Sequence, residues 1–476
     1  MYCFKNRKEI RRIPRQNYRG WSGAILQEAT SSIMRTFFEI LTSVIPTICM
    51  VCMMYQALYF VIGFAKKPPH RREQKKQRFA VIICGRNEEN VLPHLIRSIL
   101  DQHYPKELLH IFVTADNCTD HTAAVCRAAG AHTVYERTNT VQQGKGHALD
   151  DTLRWIDRDF GLESFDGYAI FDADNLLDED YFAEVNKVFN HPHRIVTTYR
   201  NSKNIGDNWV SFCSGLWFIR EARFINQPRR SLGASCLASG TGYIISHEVI
   251  RRNGGWRYFL LTEDLDFSTN NILSGETIDY CPDAIFFDEQ PIRLRDSWNQ
   301  RMRWTKGFYQ VFGRYIGRLL GHWFFGKEYD LDGKERKVSK AQRSRSGFQR
   351  FATCYDIFFT LSPGYLFVVS AGCTVVNTIL TKPVFTLEGT VDVLLMLLGM
   401  FLASYFLFWL MAIVTIYAEG KNMYCSTAKK ILYSFTFPIF FFVYVPLTVI
   451  AIFCRVKWTP IRHDVSIDMD KVKSAK

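Results

Sequence analysis

Two carboxylates one residue apart, Asp172 and Asp174, close the run YAIFDAD; side chains alternate along an extended strand, so both point the same way. Paired hard oxygens suit Mg2+ or Mn2+, ions that keep several waters and bridge a substrate's phosphates. Read alone, the pair fits a solvated loop equally well. A phosphate-bearing ligand calls for cations, and QGKGHAL offers Lys145 between two glycines at the start of a helix, where backbone N–H groups favour anions. A lysine in a flexible loop explains that fragment too, and GxxxxGK[ST] is absent. In FLLTEDLDF, Thr262 reads as a helix N-cap with Glu263 and Asp264 in the first turn. A plain cap accounts for this much. The chemical reading makes Asp264, with Glu263 beside it, a general base toward a hydroxyl attacking an electrophilic carbon.

The stretch SWNQRMRWT (297–305) puts an amide, a guanidinium and an indole together. If it is helical, Gln300, Arg303 and Trp304 stand at i, i+3 and i+4 on one face, which suits a phosphate beside a flat apolar ring. An aromatic packed in the core or at a lipid interface is the alternative for Trp304. In SGTGY (239–243), Gly240 and Gly242 flank Thr241 and would let an acceptor approach the backbone, although a turn explains them equally. The FFDEQP turn (286–291) completes the set.

The elements that must position these residues alternate from 79 onward. FAVIICG (79–85) is a short apolar run; Leu92, Leu95, Ile96 and Ile99 repeat at helical spacing; LLHIFVTAD (108–116) is apolar again. An alanine-rich helix (121–129), HTVYE as a strand, GHALDDTLRWIDRDF as a helix and YAIFD as a strand follow. Strand and helix in turn argue for a doubly wound parallel sheet, which binds ligands beyond the carboxyl ends of its strands. There stand Arg86, Asn87 and Glu88 after the first strand, Asp116 after the second, and Asp172 and Asp174 after the fourth.

The 476-residue chain is 47% hydrophobic and 15% aromatic, high for a soluble protein. The excess collects in runs at 43–64, 362–380, 391–417 and 431–453, free of charge apart from Asp392 and long enough to span a bilayer, for which about 20 residues suffice. Four spans are expected. The first starts too late for a cleavable signal and lacks its cleavage site. The net charge of +13 clusters beside the spans, at 66–78 and 334–350, which reports a cytoplasmic side and excludes a nucleic-acid reading, as no such motif is present. Residues 65–355 then face the cytoplasm. That leaves both termini outside although the N-terminal segment is basic, so either it is translocated against the rule, or 33–64 with Pro46 forms a re-entrant hairpin or an extra interfacial helix. Thirteen cysteines without a Cys/His cluster fit a reducing cytoplasm, where Asn117-Cys118-Thr119 is a chance match to a glycosylation site. The expected partition is a basic segment (1–42), an anchor (43–64), a cytoplasmic domain (65–306), interfacial helices with a basic linker (307–361), three spans (362–454) and a tail (455–476).

Taken in order, GRNEEN, TADNCTD, GKGHAL, FDADN, SGTGY, LTEDLDF and QRMRW resemble the motif succession of the family 2 inverting glycosyltransferases over residues 79–312. The last resembles the Q-x-x-R-W box of the membrane synthases for cellulose, chitin oligosaccharide and hyaluronan. The resemblance implies a GT-A-type doubly wound mixed sheet on the cytoplasmic side of the plasma membrane, joined to a helical transmembrane region. It implies a UDP-sugar donor, with Glu88 and Asp116 at the uridine, Lys145 near the diphosphate, Asp172 as a further nucleotide contact, and Gln300 and Arg303 clamping the pyrophosphate. Asp174 would hold Mg2+ or Mn2+, Asp264 would be the base with Glu263 adjoining, and Trp304, Gly240 and Thr241 would face the acceptor. The expected product is a β-linked polysaccharide passed through the enzyme's own spans. Rival readings are a glycolipid-forming enzyme and a transport or scaffold protein with an inactive domain. The choice of donor leans to UDP-glucose, with UDP-N-acetylglucosamine left open. Fewer spans than in the larger synthases make a homo-oligomer one way to complete a channel. Regulation by cyclic di-GMP through a C-terminal extension, as in bacterial cellulose synthases, is not expected.

Overall fold

The computed structural model describes residues 18–64, 75–189, 194–337, 346–382, 386–456 and 467–474, with side chains from Ser32 onward. Helix α1 (Tyr18–Met53) contains Pro46, and α2 (Tyr55–Gly63) follows after a break at Met54. Ser32–Gly63 is long and apolar enough to cross a membrane. No hairpin forms over 33–64: Pro46 removes one backbone hydrogen bond from a helix that otherwise continues.

The first half of the expected sheet follows as β1 (Phe79–Gly85), α3 (Leu92–Leu100), β2 (Leu109–Asp116), α4 (Thr122–Ala128), β3 (Thr133–Arg137), α5 (Lys145–Phe160) and β4 (Gly167–Asp172). Strand β1 pairs in parallel with both β2 and β4, with Phe79 opposite Leu109 on one side and Gly167 on the other. Its side chains alternate between two cores: Ala80 and Ile82 pack with Leu149 and Ile156 on one face, Val81 and Ile83 with Leu95 and Ile96 on the other. Burial on both faces explains why the strand reads as a continuous apolar run.

Beyond β4 come β5 (Leu176–Leu177), α6 (Tyr181–Val188), β6 (Ile195–Ser202), α7 (Trp209–Glu221), a π-helical turn (Ala222–Asn226), α8 (Gln227–Ser231), β7 (Tyr243–Ser246), α9 (His247–Asn253), α10 (Glu263–Leu273) and β8 (Ile278–Asp288). The sheet order is β3-β2-β1-β4-β7-β6-β8-β5. Strand β7 runs antiparallel to β4 and β6, and β5 antiparallel to β8. The parallel alternation read from the sequence thus holds only for the first half, and the whole is a mixed, curled sheet of the GT-A type. Gly242 enters β7 at φ +65°, and a Cβ there would meet the Phe286 ring at 2.1 Å, so only glycine leaves room for that ring at the entry to β7.

Helix α11 (Leu294–Phe325) is continuous, so the helix expected to begin at 307 starts thirteen residues earlier and carries the whole QRMRW stretch. Helix α12 (Gly347–Leu361), expected at an interface, buries Cys354, Asp356 and Ile357. Then come α13 (Pro363–Thr381), α14 (Leu387–Glu419), α15 (Thr427–Ser434), α16 (Phe437–Phe442), α17 (Tyr444–Phe453) and α18 (Met469–Ser474). Among the described residues three helical stretches are long and apolar enough to cross a membrane: Ser32–Gly63, α13 and α14. The expected fourth span is a pair, Thr427–Ser434 and Phe437–Phe453, bent by 47°; Pro438, at the start of the second piece, cannot continue the hydrogen-bond ladder. Residues 1–17, 65–74 and 338–345, which hold parts of the basic N-terminal segment and of the two basic clusters, lie outside the described residues.

The chain divides into two units, Met1–Cys52 with Val369–Leu398, and Met53–Val368 with Gly399–Lys476. In the first, Asn377 Nδ2 donates to Ser43 Oγ at 2.6 Å and to Glu39 O at 3.2 Å. In the second, which holds the sheet, Val472 of α18 is buried with Leu176 and Phe287, so the tail closes over the β5–β8 edge.

Candidate active site

A cavity of about 500 Å3 opens at the carboxyl ends of β1, β2 and β4. Glu88, Asp116, Lys145, Asp172, Asp174, Gly240, Glu263, Asp264, Gln300, Arg303 and Trp304 all line it. Thr241 does not. It is 1% exposed, and its hydroxyl accepts from the Asp172 backbone N–H at 2.9 Å and donates to Asn175 Oδ1 at 2.5 Å. Its place is beneath the DAD loop, holding it, rather than facing an acceptor.

The strand ends are fixed by tight local turns. Asn87 and Asn117 adopt φ +59° and +52°, sparsely populated values for non-glycine residues, and their side-chain amides secure the neighbouring loops. Asn87 Oδ1 accepts from Thr119 N at 2.8 Å, and Asn117 Oδ1 from Asn139 N at 2.8 Å. Asp116 Oδ1 accepts from Arg137 Nη1 at 2.7 Å, in a pair with a buried guanidinium. Lys145 begins α5; its ammonium pairs with Asp172 and donates to Gly240 O at 2.6 Å. Burial opposes its charge, but Asp172 and Glu263 outweigh that and hold its pKa above the ordinary value.

Asp174 Oδ2 accepts from Glu289 N at 2.9 Å, which ties the DAD loop to the end of β8. There Asp288 accepts from Arg200 Nε at 2.6 Å, and the Arg200 guanidinium lies 3.7 Å from the Phe218 ring centroid. Burial raises the Asp288 carboxyl to about 6, with Asp174 adding to the rise and Arg200 opposing it. A surplus of negative oxygen beside Asp174 is what a divalent cation relieves, and the donor type suits Mg2+ or Mn2+. Among the described residues no three His, Cys, Asp or Glu side chains form a metal cage, so water and a ligand's phosphates would complete the shell. Arg200, Asp288 and Glu289 form half of this corner, and only the FFDEQP turn hinted at it; a basic residue closing the β-branched run IVTTYR was the signal for Arg200.

Thr262 stands at the N-cap of α10, yet its hydroxyl makes no capping bond and its Oγ1 is buried without a partner. The cap position is thus as read, but the side chain serves as a packing surface: a Cβ at Gly307 would meet its Cγ2 at 2.4 Å. The close crossing sets α11 against α10. Below it Asp266 accepts from Tyr315 OH at 2.6 Å and Arg314 Nη1 at 2.8 Å. The carboxyls of Glu263 and Asp264 face the cavity from this junction. Burial raises Asp264, against hydrogen bonds from the Leu265 and Gly240 backbone. Burial, then the Asp264 charge, raises Glu263 to about 7, with Lys145 opposing.

On α11 the face read from spacing forms: Gln300, Arg303 and Trp304 line the cavity, whereas Arg301 turns inward to Ser214 Oγ at 3.1 Å. Arg303 makes no hydrogen bond or ion pair among the described residues, and burial lowers its pKa while Glu263, Asp172 and Asp264 support its charge. Gln300 Oε1 is buried without a partner. Trp304 packs edge-on against Phe218, with centroids 5.9 Å apart. A cation and an amide with unspent hydrogen-bonding capacity, beside an aromatic wall, leave room for a polar ligand with a flat face.

Because Glu263 and Asp264 share this corner, a base there works only when ionised. Activity is expected to fall on the acid side as these raised carboxyls take up protons, and Glu263→Gln, by removing a neighbouring negative charge, should move that acid limb to lower pH. A pH–rate profile of both proteins tests this; an unmoved limb would detach Glu263 from the base.

Residues 77–307 match the family described as glycosyltransferase like family 2. The beta-monoglucosyldiacylglycerol synthase of Trichormus variabilis is 24% identical over 272 residues, 54% of this chain and 55% of the relative. The poly-beta-1,6-N-acetyl-D-glucosamine synthase of Staphylococcus epidermidis is 22% identical over 284 residues, 55% of this chain and 64% of the relative. The chain thus spans between about half and two thirds of the length of these curated relatives. In fold, it is similar to the mannosyltransferase PcManGT from Pyrobaculum calidifontis, solved in complex with GDP-Man and Mn2+. That match has a TM-score of 0.54 at 16% identity, over 87% of this chain and 99% of the other.

Proposed function

We propose, from the premise that residues 77–307 form a glycosyltransferase family 2 domain, that the protein is a membrane-bound inverting enzyme. It moves a sugar from a UDP-sugar to the hydroxyl end of a growing β-linked polysaccharide. The observation that carries this is the convergence of Asp264, Lys145, Arg303 and Trp304 on one cavity beside the DAD loop. Glu88 and Asp116 bind the uridine, Lys145 the diphosphate, and Asp172, which holds Lys145, is a further nucleotide contact. The Asp264 carboxylate takes the proton from the acceptor hydroxyl, whose oxygen bonds to the anomeric carbon as the bond to the phosphate oxygen breaks. The leaving electron pair goes to UDP, where Lys145 and Arg303 stabilise the developing charge without reorganising. Gln300 orients the diphosphate, and Trp304 offers a pyranose an apolar face. Asp174 would hold Mg2+ or Mn2+, which when bound neutralises phosphate charge.

A second reading, glycosylation of a membrane lipid, is favoured by the cavity wall formed by Tyr55 of α2 and Phe359 of α12: α2 belongs to a stretch long and apolar enough to cross a membrane. The catalytic domain is taken to face the cytoplasm. Incubating purified protein with each UDP-sugar and Mg2+ or Mn2+, then sizing the product, separates the two. A ladder of polymer is expected, a discrete glycolipid establishes the second reading, and no product from any donor rejects both.

A further inference from the structure

One flank of the cavity holds a cation for which the transfer step has no use. Arg220 of α7 is 3% exposed and lines the cavity, and among the described residues it forms no ion pair. Its Nη2 donates to Gln56 Oε1 at 3.1 Å, its Nε has no partner, and its guanidinium carbon lies 4.6 Å from the Trp217 ring centroid. A buried charge left this way is destabilising unless an opposite charge joins it. The neighbouring Arg229 is already satisfied by Asp356 at 2.5 Å, Asn226 at 3.1 Å and Thr360 at 3.2 Å. Burial pulls Arg220 down to about 10, with Glu221 supporting its charge and Arg229 opposing it, so it remains a cation at neutral pH. Glu221, which faces Arg229, Arg200 and Arg220, is raised by burial, so it can accommodate an arriving anion by taking its protonated, donating form. The helix that follows at once loosens into the π-helical turn Ala222–Asn226, an arrangement that recurs at functional sites.

We propose that this flank seats the phosphate of an amphiphilic acceptor or primer, paired with Arg220, while the aromatic wall around Trp217 and Tyr55 takes its chain. The guanidinium fork matches phosphate oxygens in pairs, and anions reaching a wall that includes a membrane-length helix are chiefly lipid phosphates. The inference rests on the glycosyltransferase reading for its acceptor side, but its test does not require turnover.

The full-length protein in phosphatidylcholine nanodiscs, saturated with UDP to close the donor side, is titrated calorimetrically with octyl phosphate, inorganic phosphate and octyl β-glucoside. Octyl phosphate should bind the parent and bind Arg220→Gln about tenfold or more weakly, with Arg220→Lys between them and UDP affinity the same in all three. Inorganic phosphate binding as tightly as octyl phosphate would assign the seat to a soluble phosphate ester; dependence on the octyl chain would assign it to a lipid; both support the anion seat. Equal octyl phosphate affinity in parent and Arg220→Gln, no octyl phosphate binding to the UDP-saturated parent, or equally tight octyl β-glucoside binding overturns it. If Arg220→Gln loses UDP affinity, and with it the fold, Arg220→Lys decides. Failure of every nucleotide sugar to react would reject the transferase reading while leaving this binding result to stand by itself.

Discussion

Asp264→Asn is expected to reduce sugar transfer by about 1,000-fold or more while leaving UDP affinity within about twofold, since a positioned base contributes roughly 100- to 10,000-fold. Asparagine keeps the shape and can still accept from the Gly240 and Leu265 backbone, but it cannot take a proton. The same change should not weaken the fold. A carboxyl whose pKa is raised in the folded state contributes stability at low pH that is lost as pH rises through its folded value, because the ionised form is then held in a poorly solvated place. Above that value Asp264→Asn should melt at the same temperature as the parent or higher. A thermal melt at pH 8 with a transfer assay checks both halves, and retained activity would remove Asp264 as the base.

Arg303→Met should cost about 100- to 1,000-fold in turnover, the scale of one preorganised donor lost from developing charge. Arg303 is the cation on the α11 face that no carboxylate engages among the described residues, whereas Lys145 is already paired with Asp172. Its side chain is therefore free to follow the diphosphate. Arg303→Lys keeps the charge but not the planar fork and should recover only part of the loss. If UDP release limits the parent, the mutant's defect will appear in a single-turnover measurement more than in steady state. An unimpaired Arg303→Met would move the leaving-group role to Lys145 alone.

The first half of the sheet was legible because each strand there is a continuous apolar run followed by its own helix, so β1, β2 and β4 announce themselves locally. The second half was not. Strand β7 has four residues and owes its place between β4 and β6 to pairings with segments far away in sequence, which periodicity does not report. The same reason hid Arg200 and Arg220: each stands in a segment that reads as core, and only the folded arrangement turns its charge toward the cavity. Gln300, Arg303 and Trp304 were readable because helical spacing alone puts them on one face. Thr241 misled because its motif is a turn, and whether a turn's hydroxyl looks outward or under a neighbouring loop depends on the loop, here that of Asp172.

Helix α11 holds Arg303 and Trp304 at the cavity, and a turn further along Lys306 Nζ donates to Ala451 O at 2.9 Å and Tyr309 OH to Thr448 O at 2.8 Å, both on α17. The helix is thus clamped to the bent, apolar pair within two turns of Arg303 and Trp304. Lipid acyl-chain length, by setting how steeply that pair leans, becomes a tuning knob for turnover, and vesicles of short- and long-chain phosphatidylcholine should give different rates at equal donor saturation.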